Sequence, residues 1–240
     1  EAAGLADLFT VECGDATVFD VSRVDAVFCD PARRAGGTGR RIFDPNAYSP
    51  PWDFVTRLAE RTPRTVVKVA PGIDHGLIPA GAEAEWVSVD GDLVEAALWC
   101  GELAEVPRRA TLLTEKEGTV DSSERGAAGQ LTGTGDREAD VGAVRRFLHD
   151  PDPAVVRAHL VAELADELHA TLADPAIAYL YADTPTLGPY ARCLEITDVL
   201  PFSLKRLRAL LRERGVGRVE ILKRGSALTP EQLRRDLRLA

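Results

Sequence analysis

The sequence has no methionine at all and only 6% aromatic residues. Without methionine it does not open on its own translation start, so it is expected to be a piece of a longer protein. Cysteine is sparse: Cys13, Cys29, Cys100 and Cys193 form no CxxC pair, and only four histidines accompany them. A zinc site needs closely spaced ligand pairs, so no metal is expected. The thiols read instead as small residues in a reducing cytosol, which makes a cytoplasmic protein the expectation. No apolar run approaches the roughly 18 to 20 residues that span a bilayer. The first ten residues carry two acids and no basic cluster, unlike a signal peptide.

What is present is ordinary in bulk and uneven in charge. Hydrophobic residues make up 45% of the 240, enough for a packed core. The formal net charge is −9, yet residues 190–240 hold twelve Lys/Arg against six Asp/Glu. The remainder is strongly acidic, and this asymmetry predicts two domains with different partners.

Strand and helix patterns alternate along the first part. Phe9 to Cys13 and Ala26 to Cys29 are short apolar runs, each closed by a turn. A helix follows Pro51 and bears Phe54, Val55, Leu58 and Ala59 at helical spacing. Thr65 to Ala70 is a further strand, closed by Pro71-Gly72. Nearly continuous apolar runs of this kind belong to strands buried on both faces, as in a parallel sheet. Ala84 to Val89, Leu93 to Trp99 and Arg109 to Leu113 follow with short connections, which favours an antiparallel edge. The expected body is a mixed α/β sheet, mostly parallel, with helices on its faces.

From Glu115 to Asp140 the chain turns polar and glycine-rich, the pattern of a loop or linker. One helix is expected from about Pro153 to Leu172, with Val155, Val156, Leu160, Val161, Leu164 and Leu168 in one stripe. The last part reads as strands over Ala176 to Tyr181, Arg192 to Val199 and Arg218 to Leu222, with two helices. Ser203 and Thr229 are their N-caps, Pro230 sits at N1 of the second, and Gly215 ends the first. The expected domains are 1–114, a linker with a connecting helix over 115–174, and a small basic domain over 175–240.

The candidate chemistry collects at strand ends, where open α/β sheets bind ligands. Asp30 ends an apolar strand, and Pro31 fixes φ and removes a donor, so the chain leaves sharply. The Asp30 carboxylate and the Pro31 carbonyl can then accept from one donor group. A plain strand-to-loop turn is the competing reading. Asp15, after Gly14, can accept from an exocyclic amine; a turn aspartate bonding its own backbone explains it as well. Arg33, Arg34, Arg40 and Arg41 surround a glycine-rich loop, and Phe43, Tyr48 and Trp52 follow. Arginines with aromatics suit a phosphate backbone and a stacked base, whereas burial of the aromatics would make them core. Lys68 lies within a valine-rich strand and needs a partner such as Asp30, or a path to the site rim.

Three runs taken together resemble a known family: Cys13-Gly14-Asp15-Ala16, Asp25 to Arg34, and Val67 to Ile73. They are similar to the second half of bacterial class I S-adenosylmethionine-dependent methyltransferases that end in a THUMP-like domain. Leu200 to Leu211 and Val219 to Gly225 resemble that C-terminal module. The resemblance implies a Rossmann-like methyltransferase sheet, incomplete at its N-terminus, plus a small α+β THUMP-like domain. It implies S-adenosylmethionine as cofactor, with Asp15, Ala16 and Asp30 on the cofactor side. It implies catalytic roles for Asp30, Pro31 and Arg33, at the place of the Asp/Asn-Pro-Pro-aromatic motif of amino-methyltransferases. There the acid and a proline carbonyl hold the target amine and the aromatic stacks on the base. This sequence departs from that motif by Ala32 and Arg33. The glycine-rich cofactor loop belongs before Gly14 and is not in the sequence, which fits a truncation and an inactive fragment.

RNA is the expected partner. Arg34, Arg40, Arg41, Phe43, Trp52 and Lys68 are its candidate contacts on the body. Lys205, Arg206 and Arg208 are those on the C-terminal unit, where Lys205, Arg208 and Arg212 fall on one helix face opposite Leu204, Leu207 and Leu211. The expected function is RNA methylation, with Asp30 orienting the acceptor. The alternative is an RNA-binding protein with a degenerate methyltransferase fold.

Overall fold

The computed structural model describes residues 8–32, 47–62, 64–114 and 126–238. These described residues fall into two compact units, those up to 85 together with 95–107, and 86–94 together with those from 108 on.

The first unit is built on β1 (Val27–Cys29) and β2 (Arg64–Val69), joined through α1 (Trp52–Arg61). β1 and β2 pair in parallel, with Val27 opposite Thr65 and Cys29 opposite Val67. A parallel pair needs a crossover, and α1 supplies it. That helix starts behind Pro51 with Asp53 in its first turn, ion-paired to Arg57 at 2.9 Å, and ends with Arg61 in its last. Its apolar positions Trp52, Val55 and Leu58 are buried, and it packs on β2. β3 (Glu83–Val89) and β4 (Asp92–Gly101) follow, and β4 runs antiparallel to β2 with Lys68 opposite Ala97. The buried carboxylate of Glu83 accepts from the Glu105 and Val106 amides, which keeps it satisfied. The expected strand at Phe9 to Cys13 does not form: this stretch is irregular and its side chains are exposed.

In the second unit the tips of β3 and β4 meet at Asp90–Gly91, both with positive φ, as a two-residue hairpin turn requires. β5 (Arg108–Thr114) pairs antiparallel with β6 (Gly126–Gly133), with a bulge at Leu112/Leu113. β6 occupies part of the stretch expected to be a loop. A Cβ on Gly129 would stand 2.9 Å from Pro189 and Tyr190, and one on Gly133 would stand 2.5 Å from Glu163. These two glycines answer to close packing rather than to flexibility.

A second, antiparallel sheet has the order β10-β7-β9-β8, from β7 (Phe147–Pro151), β8 (Thr171–Asp174), β9 (Ile177–Ala182) and β10 (Ala191–Glu195). The single helix expected over 153–172 is two: α2 (Pro153–Arg157), capped by Asp152, and α3 (Val161–Leu168). Between them His159 takes φ +60°, and the break lets Ala158 and Leu160 both reach full burial. The end of the expected helix is β8, where Leu172 enters the sheet core. α4 (Leu204–Glu213) and α5 (Pro230–Leu237) carry the expected Ser203 and Thr229 caps. Residues 218–222 form no strand; Glu220 instead takes both ends of the Arg192 guanidinium, at 2.6 and 2.7 Å. None of the described helices is long and apolar enough to cross a membrane.

Candidate functional site

The site starts from the carboxyl end of β1. Asp30 follows the last strand residue, and beyond Pro31 the chain is held by a two-bond bridge. The Ala32 amide donates to the Ser49 carbonyl at 2.7 Å, and the Ser49 amide to the Ala32 carbonyl at 3.2 Å. This clamp gives Asp30 a fixed exit from the sheet. Its carboxylate is half-exposed, with Lys68 Nζ at 3.8 Å. The same ammonium sits 2.8 Å from Glu95, which lies on β4 between Ala97 and the hairpin turn. Lys68 thus takes a seat between two acids, with Asp30 the looser and more exposed of the two.

Strand periodicity explains the cluster. Residues two apart share a face, as do residues directly opposite. Phe28 and Asp30 therefore lie on the same face as Val66 and Lys68, and as Glu95, Ala97 and Trp99. Cys29 points to the other face, beside Val67 and Leu98. Burial, with Asp30 adding to it, pushes its thiol pKa up. The arrangement can hold a hydrogen-bond donor: an exposed carboxylate at a fixed depth accepts from an amine or hydroxyl, and Lys68 and Glu95 restrain it.

Asp15 sits before a short 3-10 turn, Ala16–Val18, and caps it. One of its oxygens accepts from the Thr17 amide at 2.9 Å and the Thr17 hydroxyl at 2.8 Å. Those two bonds, the backbone one first, lower its pKa. Asp20 repeats the device with Ser22, and Asp74 caps Gly76. Asp15 therefore has the local turn role that its position also suggested. Arg33, Arg34, Arg40, Arg41 and Phe43 lie outside the described residues. Trp52 and Tyr48 are buried, so they serve the core rather than a stacked base.

On the C-terminal unit the cations separate into two groups. Arg224 reaches Asp150 at 2.6 Å and lies over the Tyr179 ring at 5.2 Å. Arg192 pairs with Glu220, and Arg214 with Asp198 at 2.8 Å. Arg208 is half-buried and donates to the Asp236 carbonyl of α5, at 2.7 Å from Nε. It does not share the outer face expected for it with Lys205 and Arg212, because α5 occupies that side. Lys205, Arg206 and Arg212 are exposed. The sequence pointed to Lys68 and Asp30, which the fold brings together. Glu95 carried no signal, because its place beside Lys68 depends on the register of two strands far apart in the chain.

Comparison with known proteins bears on the fold and the family. Residues 191–240 match the THUMP domain-like family. Over 236 residues the chain is 38% identical to an uncharacterized S-adenosylmethionine-dependent methyltransferase of Mycobacterium tuberculosis, found in strains CDC 1551 / Oshkosh and ATCC 25618 / H37Rv. The match covers 95% of this chain and 60% of those relatives. The chain therefore spans less than two thirds of their length. The crystal structure of a candidate methyltransferase from Porphyromonas gingivalis W83 has the same fold. It is superposable with a TM-score of 0.64 at 18% identity, over 90% of this chain and 53% of that one. The chain is a homologue of methyltransferase-named proteins and carries a THUMP-like C-terminal segment.

Proposed function

We propose that the longer protein to which this chain corresponds is an S-adenosylmethionine-dependent methyltransferase acting on RNA. The observation that carries the reading is Asp30, clamped at the carboxyl end of a parallel strand and paired with Lys68. That is where an α/β sheet presents a ligand. In this reading Asp30 and the Pro31 carbonyl accept hydrogen bonds from the acceptor group, and methyl transfer needs mainly its orientation toward the cofactor. When bound, S-adenosylmethionine supplies the electrophilic methyl group. Asp15 and Ala16 lie on the cofactor side, and Arg33 and Arg34 bind substrate phosphate. Exposed Lys205 and Arg206 hold RNA through its phosphates, in line with the THUMP-like match. The domains would be 1–114, 115–174 and 175–240, and the compartment cytoplasmic.

Titration calorimetry of the longer protein with S-adenosylmethionine tests the cofactor half; absence of binding overturns it. A second reading is favoured by Ala32-Arg33 in place of the proline and aromatic of the amino-methyltransferase motif: an RNA-binding protein without methyl transfer. An Asp30→Ala variant of the longer protein with unchanged activity in cells would support that second reading.

A further inference from the structure

Residues 191–240, the stretch with the THUMP-like match, contain a single aromatic residue, Phe202. The one aromatic of a small unit ordinarily goes to its core. Phe202 also precedes the Ser203 N-cap, a position from which an apolar side chain can fold back on the fourth residue of the helix, here Leu207. The fold leaves Phe202 64% exposed instead. Leu200, Leu204 and Leu207 are half-buried and supply the apolar anchors on either side of it. The helix that follows is basic at the unexpected end. Acids belong in a first helical turn, where the helix dipole is positive. The first turn of α4 has no acid and carries exposed Lys205 and Arg206. Arg212, seven residues after Lys205 and so on the same face, is exposed as well. Cations at the positive pole of a helix are unfavourable for the helix alone, and an anion held there relieves them. α5 braces this helix, because Arg208 donates to the Asp236 carbonyl at 2.7 Å.

We infer that Phe202 is a base-stacking residue and that α4 receives an unpaired stretch of RNA. A ring stacks only on a base freed from its own pair, because the paired bases of an A-form helix are closed to side chains. Lys205 and Arg206 lie within the next turn, about 5 Å along the axis. A nucleotide stacked on Phe202 therefore has its phosphates within reach of both. Arg212 lies about 10 Å beyond Lys205, where it meets phosphates further along the strand. Charge complementarity names the occupant. The exposed charges of α4 are Lys205, Arg206 and Arg212 against Glu213 alone, which suits a polyanion, and the ring selects one that carries bases. Tyr48 and Trp52 are buried and offer no such surface. The inference rests on the RNA reading above but not on methyl transfer, since an RNA-binding protein without catalysis would use Phe202 in the same way.

Fluorescence anisotropy of the full chain with a short labelled oligouridylate, and with a labelled RNA duplex of the same length, tests it. Phe202→Ala should weaken single-strand binding at least about fivefold, the loss of one stacked base. Duplex binding should stay within about twofold of the parent, because the phosphate contacts remain. For the same reason the salt dependence should keep the parent slope. Phe202→Trp should bind the single strand like the parent, and Phe202→Leu, apolar without a ring, should not; full rescue by leucine overturns the inference. Equal single-strand affinity of the parent and Phe202→Ala overturns it and leaves the RNA reading standing. So does an equal loss on the duplex, which makes the ring a support for the phosphate surface. A melting temperature of Phe202→Ala several degrees below the parent also overturns it, because the ring is then packed against another part of the protein. A parent chain that binds neither RNA overturns the inference and the RNA reading together.

Discussion

Arg224 is the cation whose loss the structure lets one work through in most detail. It joins the last irregular stretch to the second sheet. Its Nη2 and Nε lie 2.6 and 3.1 Å from one oxygen of Asp150, Nη2 also reaches the Pro151 carbonyl at 3.3 Å, and its face covers Tyr179. Both side chains are largely enclosed, at 27% and 20% exposure. Charged hydrogen bonds of this kind contribute about 1.5–3 kcal/mol, and the ring interaction about 0.5–1 kcal/mol. Removing one partner of a buried pair costs about 3–5 kcal/mol because the other charge is left unpaired. Residual exposure here lowers that figure, so Arg224→Ala should cost about 3 kcal/mol. For a chain of this size that corresponds to a fall in melting temperature of about 6–12 °C. Arg224→Lys keeps the charge but loses the planar fork and should fall between. Thermal unfolding followed by far-UV circular dichroism measures both, with Arg206→Ala as the exposed control. A melting temperature for Arg224→Ala within about 1 °C of the parent would refute the assignment of Arg224 to structure. It would leave the residue available for RNA.

Three other outcomes are expected. Asp30→Asn in the longer protein should lower methyl transfer by about 10² or more while leaving cofactor affinity near its parent value, read by radiolabelled transfer and by calorimetry. Lys205→Gln with Arg206→Gln should weaken RNA binding across sequences and flatten its salt dependence, by about one unit of slope for each phosphate no longer neutralised; an unchanged slope would move the RNA surface elsewhere. His149 is completely buried, and burial lowers its pKa from the ordinary value near 6.5. The unfolded chain then binds the proton more readily than the folded one. The stability from neutral His149 is present above about pH 6.5 and is lost as pH falls below it. Melting temperatures should drop between about pH 7 and pH 5, and His149→Leu should shallow that slope; an identical slope would show that other groups cause it.

Local signals read from the sequence were dependable where a short-range cause acts. The caps at Ser203 and Thr229 form because a hydroxyl reaches a free amide a turn away, whatever surrounds it. The helix after Pro51 and the strand over β2 follow from apolar spacing in the same way. The readings that failed share a different cause. The helix expected over 153–172 has unbroken apolar periodicity with no glycine or proline to stop it. In the fold His159 takes a left-handed conformation there, between the buried Ala158 and Leu160. The glycines of 126–133 look like a linker until Tyr190 and Glu163 stand against them.

The candidate site divides along the same line. The sequence alone determined that Asp30-Pro31 ends a strand, that Lys68 sits in a valine-rich one, and that the C-terminus is basic. These follow from residue chemistry and from intervals of a few positions. That Lys68 lies between Asp30 and Glu95 was decided by parallel pairing on one side and antiparallel register on the other, which join positions 30, 68 and 95. Which arginines stay open was likewise decided by tertiary structure. Arg192, Arg208, Arg214 and Arg224 look the same in the sequence as Lys205 and Arg206, and only the fold brings a carboxylate or carbonyl to the first four. A charge is legible in the sequence, but its partner is not, because ion pairing depends on distance in space and the chain records only distance along itself.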